Sequence, residues 1–230
     1  MAQLPLKLAG TDYARFETFA AGDNAAVVDH LRAVAVGAAD TLWLWGAAGC
    51  GKTHLLQAAC HAAAAAGRRA MYVTLDSADP AILVGLENVD LLALDNVERV
   101  ARDATWERAL FVILNELLPR GGLVLAAAVS AAGCGFGLPD LASRAGGAVS
   151  YRLKSLADAD RAVALRLHAA ARGLELEPAA ADYLLKRVAR DMAALAAWLD
   201  RLDRDSLIEQ RRLTIPFIRE RLANGPASGE

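Results

Sequence analysis

Apolar residues in the first two thirds of the chain form five short runs that alternate with longer segments of helical pattern. The runs are continuously apolar, which is typical of strands buried on both faces of a parallel sheet. They lie at Thr41–Trp45, Arg69–Leu75, Asp90–Leu94, Leu123–Val129 and Val149–Leu153. Helices are predicted between them at Lys52–Ala66, Ala78–Leu86, Ala104–Leu118 and Leu138–Arg144. This strand–helix repetition predicts an α/β fold with a parallel five-stranded sheet and flanking helices.

The pattern changes after Leu153, where no further strand is predicted. Helices are expected from Ser155 to about Arg172, from Pro178, from about Asp191 to Asp203, and from Thr214 to near Leu222. The first of them begins with a capping-box pattern, with Asp158 in place of the usual Glu. The chain is therefore divided into an α/β domain at 11–153 and a small all-helical domain at 154–223. Residues 1–10 and the polar tail 224–230 lie outside both.

Composition narrows the classes of function. The 230 residues are 55% hydrophobic, which excludes a largely disordered chain. The formal net charge of −2 argues against a protein that holds nucleic acid by bulk charge. No export signal and no apolar stretch of about 20 residues is found, so we expect no membrane contact and a cytoplasmic protein. The three scattered cysteines are interpreted as reduced thiols.

A phosphate-binding motif follows the first predicted strand. Residues 46–53 fit the pattern GxxxxGK[ST] at every fixed position, between a strand and a helix. Glycines let backbone N–H groups wrap a phosphate, and the helix N-terminus adds a positive dipole. We expect Lys52 on the β- and γ-phosphates and the Thr53 hydroxyl on Mg²⁺. The candidate cofactor-binding residues of this P-loop are Gly46, Ala47, Ala48, Gly49, Cys50, Gly51, Lys52, Thr53 and His54.

A second acidic residue is needed to hold the metal ion, and Asp95 supplies it at the carboxyl end of an apolar strand. Thr53 and Asp95 are therefore the predicted Mg²⁺ ligands. In many hydrolysing P-loop proteins the following residue is Glu, which polarises the attacking water, but here it is Asn96. An amide can orient water and cannot accept its proton. Nucleotide binding is thus better supported than turnover.

On these motifs the chain resembles the AAA+ ATPases, and specifically the DnaA-related subgroup, over almost its whole length. The resemblance implies a P-loop AAA+ sheet followed by a helical lid, with ADP or ATP and Mg²⁺ as cofactors. Residues 16–24 resemble the segment that lies against the adenine in DnaA-type initiators, which implies a nucleotide contact for Phe19. The alternative is a linker whose two aromatic residues pack on the core.

Three catalytic positions are implied by the same resemblance. Residues 138–144 resemble the family's box VII, so Arg144 is implied as an arginine finger that acts in trans on a neighbouring subunit. Ser130 matches the sensor-one position, and Asn96 takes the second Walker B position. The alternative for Arg144 is a solvated arginine at the end of a helix, and the alternative for Ser130 is a local hydrogen bond within a turn.

The family's sensor-two arginine is missing. We align it with Ala193, and Arg190 lies one helical turn earlier, where it could reach a similar face as a cofactor-binding residue or form a surface ion pair. The absence of this arginine further weakens the case for ATP hydrolysis by this chain itself. The resemblance therefore implies a weak or inactive ATPase.

The N-terminal sequence reads Gln-Leu-Pro-Leu-Lys-Leu at residues 3–8. An extended chain would place Leu4, Leu6 and Leu8 on one side, with Gln3 free for amide hydrogen bonds. This resembles the sliding-clamp-binding peptide of a regulatory branch of the DnaA-related subgroup. In addition, no helix-turn-helix pattern of the kind that initiators carry follows the predicted lid.

The resemblance implies a negative regulator of replication initiation. It would bind adenine nucleotide and the β sliding clamp and stimulate ATP hydrolysis by DnaA, reaching DNA and the nucleoid only through the clamp. The alternative is a self-assembling AAA+ ATPase of the remodeller or helicase-loader type, with its own turnover and a homo-oligomer. A truncated initiator that binds DNA directly is disfavoured by the charge.

Overall fold

The structure is a computed structural model that describes residues 13–76, 78–117, 122–188, 192–209 and 212–223. The described chain divides into two compact units. The first unit contains the residues up to Phe16 together with Asp23–Ser155, and the second contains Glu17–Gly22 and the residues from Leu156 onward.

The first unit alternates strands and helices. In chain order its elements are α1 (Ala25–Val36), β1 (Thr41–Trp45), α2 (Lys52–Ala65), β2 (Ala70–Thr74), β3 (Leu91–Asp95), α3 (Ala104–Leu117), β4 (Leu123–Ala127), α4 (Pro139–Gly146) and β5 (Val149–Arg152). The strands form one parallel sheet in the order β2-β3-β4-β1-β5. The predicted parallel five-stranded sheet with flanking helices is confirmed.

Burial follows the position of each strand in the sheet. Every residue of β3 and β4 is buried, which explains why both sequences are apolar except for Asp95 at the end of β3. The strand β5 is different, since it pairs only with β1 among the described residues and leaves Val149, Ser150 and Arg152 exposed. The expectation that all five strands are buried on both faces is therefore wrong for β5 and also for β2, in which only Val73 is buried, because a strand at the edge of the sheet is covered less.

The helix predicted at Ala78–Leu86 is absent. Its place is taken by two short 3₁₀ helices, Pro80–Leu83 and Leu86–Asn88. The carboxylate of Asp79 accepts a hydrogen bond from the Ala81 N–H, which starts the first turn. Gly85 then has φ +88°, and this left-handed residue cannot continue a right-handed helix.

No helix was predicted before the first strand, where the structure has α1. Its buried residues recur with helical spacing at Val27, Val28, Leu31, Val34 and Ala35. The signal was therefore present in the sequence and was missed among the small residues that surround it.

The second unit is all-helical, as predicted. It comprises α5 (Asp158–Ala171), α6 (Pro178–Leu185), α7 (Met192–Glu209) and α8 (Ile215–Ala223) around a core of aliphatic residues and Phe217. Its first helix starts later than the capping-box prediction required, with Ala157 as the N-cap, so Ser155 does not cap it. No helix in the described part of the chain is long and apolar enough to cross a membrane.

Two glycines allow a test of the packing between β3 and β4. Gly122 and Gly67 have nearly equal φ, +76° and +75°, but a Cβ at Gly122 would lie 2.3 Å from the Asp90 carbonyl oxygen, and one at Gly67 would meet nothing. We expect Gly67→Ala to cost about 1–2 kcal/mol for its left-handed backbone. Gly122→Ala should cost roughly 1–3 kcal/mol more, because β3 must shift. Urea denaturation measures both losses, and equal losses would contradict this packing.

Candidate nucleotide-binding site

The phosphate-binding loop joins the end of β1 to the start of α2. Three glycines shape it: Gly46 has φ +153°, Gly49 has φ +74°, and Gly51, the N-cap of α2, has φ +99°. A Cβ at Gly46 would lie 2.7 Å from the Leu153 carbonyl oxygen, so no larger residue fits beside the chain that follows β5. The loop therefore lies close against the sheet and leads directly into the N-terminus of α2, where backbone N–H groups and the helix dipole favour an anion.

Lys52 lies over this loop. Its ammonium group donates hydrogen bonds to the carbonyl oxygens of Gly46, at 2.7 Å, and Ala47, at 3.0 Å. The Cys50 sulfur lies 3.8 Å from the same nitrogen, and the Cys50 side chain is buried. Of the predicted P-loop residues, Cys50 can thus offer a ligand only its backbone, whereas Lys52 offers a positive charge at the loop.

The two predicted metal ligands lie in direct contact. The Thr53 hydroxyl donates a hydrogen bond of 2.6 Å to Oδ2 of Asp95, and the Asp95 side chain is buried. The Asn96 backbone N–H donates to the other carboxyl oxygen at 3.0 Å. These hard oxygen donors fit Mg²⁺, which is commonly held by one or two carboxylates together with substrate phosphates. Among the described residues there is no cluster of three or more His, Cys, Asp or Glu side chains suited to a metal ion.

Tyr72 is a member of this site that sequence reasoning missed. From β2 its hydroxyl donates a hydrogen bond of 3.0 Å to Oδ2 of Asp95, the oxygen that also accepts from Thr53. Burial, and then the negative charge of Asp95, raise the pKa of Tyr72, so its hydroxyl keeps the proton that it donates. Only the pairing of β2 with β3 brings Tyr72 to Asp95, and no spacing in the sequence indicates this contact.

Asn96 directs its side chain away from Asp95. It has φ +59°, and its amide nitrogen donates to Oγ1 of Thr74 and to Oδ1 of Asp76, both at 3.2 Å. Thr74 also donates to Asp76, and that hydrogen bond is the main reason why the pKa of Asp76 is lowered. The residue at the second Walker B position is therefore engaged with the end of β2.

The other predicted catalytic residues, Ser130 and Arg144, make no side-chain hydrogen bond to this cluster within the part of the chain that the structure describes. Ser130 follows β4 by three residues, and its hydroxyl accepts a local hydrogen bond from the Gly133 N–H at 3.3 Å. This local hydrogen bond within a turn is the alternative stated above for Ser130. Arg144 lies near the end of α4 and is exposed, with no side-chain hydrogen bond or ion pair to any described residue.

The remaining predicted residues are placed as follows. Phe19 belongs to the second unit, where it is half-buried. Ala193 lies in the first turn of α7. Arg190 and the predicted clamp-binding residues Gln3, Leu4, Leu6 and Leu8 lie outside the described residues.

Polar contacts join the segment before α1 to the P-loop helix and to the chain that follows β5. Nε2 of His54 donates to the Arg15 carbonyl oxygen at 2.8 Å, and burial lowers the pKa of His54. The buried Asn24 side chain donates to the Lys154 carbonyl at 3.0 Å and accepts from the Lys154 N–H at 2.9 Å. His54 was predicted to bind the nucleotide, and in the structure its ring contacts the backbone carbonyl of Arg15.

A P-loop on a parallel sheet of this strand order, followed by a helical unit, places the chain in the class of AAA+ proteins. Two family models match: the bacterial DnaA ATPase domain at residues 11–82 and the Hda lid domain at residues 158–222. Together they cover more than half of the chain. The chain belongs to the DnaA-related AAA+ proteins and is of the Hda type, among regulators of replication initiation.

Solved structures agree on the fold. Domain III of the Thermotoga maritima initiation protein DnaA matches with a TM-score of 0.76 at 21% identity, over 93% of this chain and 97% of that one. AMPPCP-bound DnaA from Aquifex aeolicus matches with 0.66 at 22% identity, over 84% and 65%. The Thermotoga maritima RuvB branch migration motor matches with 0.58 at 19% identity, over 90% and 72%.

The lowered pKa of His54 predicts a pH-dependent stability. The His54 side chain binds a proton near pH 6.5 in the unfolded chain, and only at lower pH in the folded chain. The folded protein therefore has its full stability above pH 6.5 and loses stability as the pH falls below that value. The loss should be at most about 1.4 kcal/mol per pH unit. Urea denaturation between pH 7.5 and 5.5 measures it, and His54→Gln should flatten the profile. The control is His61→Gln on the same helix, and an equal flattening there would contradict the assignment.

Proposed function

We propose that this protein is a nucleotide-bound regulator that stimulates ATP hydrolysis by the initiator DnaA, with Arg144 as the arginine finger. The observation that carries the proposal is the contrast between two of its residues. Arg144 is exposed and unpartnered among the described residues, whereas Asn96, at the hydrolytic position of its own site, is engaged with Thr74 and Asp76. The chain thus offers a cation to a partner, whereas the residue at its own hydrolytic position is an amide, which cannot accept a proton.

The nucleotide is ADP or ATP. Lys52 would neutralise its phosphates, and Thr53 and Asp95 would hold Mg²⁺, which supplies charge neutralisation at the β- and γ-oxygens. The comparison with AMPPCP-bound DnaA supports an adenine nucleotide at this loop. Because the chain lacks a carboxylate at position 96, the nucleotide acts chiefly as a ligand that stabilises the folded protein.

The partner's site receives the arginine. A guanidinium keeps its charge at any physiological pH and stabilises the charge that develops on the transferred γ-phosphoryl group. The ATP and the attacking water are then DnaA's own, so hydrolysis in the partner requires no catalytic base from this chain. Conversion of DnaA–ATP to DnaA–ADP would prevent a second initiation.

The sliding clamp is proposed as the tether. In residues 3–8 every second position is leucine, which suits an extended peptide in a hydrophobic groove, with Gln3 supplying amide hydrogen bonds. A clamp loaded on DNA raises the effective concentration of the regulator near DnaA, so a weak peptide contact is enough. The near-neutral charge of the chain is in keeping with this indirect route to DNA.

Nucleotide binding is tested by thermal denaturation. ADP with Mg²⁺ at about 100 times its Kd should raise the Tm of the wild-type protein by about 5–10 °C. Lys52→Ala should lose most of this shift, because the phosphates lose their counter-charge. Lys186→Ala, at the exposed end of α6, is the matched control. A full ADP-dependent shift in Lys52→Ala would contradict the assigned site.

The regulatory activity is tested with DnaA–ATP and clamp-loaded DNA. Wild type should accelerate the release of phosphate from DnaA, and Arg144→Ala should lose the stimulation by roughly 10³-fold or to background. A double variant at Gln3 and Leu4, both to Ala, should need a higher concentration and reach the same maximal rate. Arg166→Ala, exposed on α5, controls for loss of surface charge.

Two results would overturn the proposal. One is stimulation by Arg144→Ala that equals the wild type. The other is steady ATP turnover by the purified protein alone that is lost in Arg144→Ala, since this would identify a self-assembling ATPase in which Arg144 serves a second copy of the same chain.

A further inference from the structure

Glu107 lies in the first turn of α3, and its carboxylate is buried within the first unit. Three backbone N–H groups donate to it. Oε1 accepts from Arg102, at 2.7 Å, and from Gly137, at 2.8 Å, while Oε2 accepts from Leu138, at 2.6 Å. Two of these donors belong to the segment that enters α4, and Leu138 is the N-cap of that helix.

The charge of Glu107 is maintained by these contacts. Burial raises the pKa of Glu107, but the hydrogen bonds from Gly137, Arg102 and Leu138 outweigh it and lower the pKa below its usual value. The ionised carboxylate also stands at the positive end of the α4 dipole. A buried charge with three donors is costly to move, so its position is narrowly defined.

The Leu138 side chain cannot cap α4, and the structure shows no side-chain cap from it. Glu107 therefore reaches across from α3 and satisfies an N–H group that the helix leaves unpaired. A second polar contact connects the same two segments: Nε of Arg102 donates a hydrogen bond to the Gly135 carbonyl oxygen at 3.3 Å. The start of α4 is thus attached to the start of α3 by polar contacts.

Apolar contacts also hold α4. Leu141 and Ala145 face the core, and a small apolar pocket lies between them and Phe136 and Leu110. Contacts of this kind hold the helix against the sheet without determining its direction as narrowly as hydrogen bonds do. The direction of the helix is what places Arg144, because that side chain emerges from its last turn.

We propose that Glu107 is the positioning residue for Arg144: it sets the origin and direction of α4, and so delivers the guanidinium to the γ-phosphate of the partner's nucleotide. The inference rests on the proposed function. Glu107 does not touch substrate, and it acts through the backbone of the segment from Gly137 to Leu138.

The experiment measures DnaA–ATP hydrolysis on clamp-loaded DNA over a range of regulator concentrations. Glu107→Gln replaces an acceptor with an amide that must face N–H donors. We expect its maximal stimulated rate to fall by roughly 10- to 100-fold, the cost of misplacing a catalytic group by about 1 Å. The concentration for half-maximal stimulation and the ADP-dependent Tm shift should stay as in wild type. Glu107→Asp, which keeps both acceptor oxygens, should recover part of the rate.

The matched control is Glu116→Gln, since Glu116 is exposed on the same helix. A wild-type maximal rate in Glu107→Gln overturns the inference, as does a loss that appears wholly in the half-maximal concentration. If Glu107→Gln does not fold, Glu107→Asp decides: a lowered maximal rate at unchanged half-maximal concentration supports the inference, and a wild-type rate overturns it.

Arg144→Ala in the same assay separates the two proposals. If it loses stimulation while Glu107→Gln retains it, the proposed function stands and the role of Glu107 falls. If the wild-type protein does not stimulate DnaA, both fall together.

Discussion

The nucleotide site of this protein depends on one buried carboxyl group at the end of β3. Asp95 is almost completely removed from water, so its oxygens must find donors within the protein. They find them on different elements: the Thr53 hydroxyl of α2, the Tyr72 hydroxyl of β2 and the backbone N–H that follows β3. Because these donors are held to one group, the P-loop helix and two strands keep a single mutual arrangement.

The same physical requirement recurs in the first unit, where Glu107 is the other buried acidic side chain among the described residues. Its three donors are backbone N–H groups of two connecting segments. One buried carboxyl group therefore organises the candidate ligand site, and the other organises the helix that carries Arg144. Neither is a passive part of the core, because a buried charge left without its donors would cost more than its hydrogen bonds contribute.

Much of the architecture could be predicted from local pattern. The strand β4 is apolar throughout, and β3 is apolar up to Asp95, because both faces of these strands are buried. The P-loop motif indicated the turn from β1 to α2. The failures have local physical causes. Gly85, with its left-handed backbone, divided an expected helix into two 3₁₀ turns, and the edge position of β5 left exposed a strand that was expected to be buried. The helix α1 was overlooked despite its helical spacing.

The class of fold and the residues available for phosphate and metal follow from the amino-acid sequence alone, since glycines, a lysine and an acidic strand end at this spacing are typical of a P-loop. Tertiary structure alone decided how those residues are engaged. Tyr72 lies 23 residues from Asp95, and Glu107 lies 30 and 31 residues from Gly137 and Leu138, so only strand pairing and helix packing bring these groups together. It also decided that Asn96 turns toward Asp76 while Arg144 stays exposed, because the direction of a side chain follows from its neighbours in space.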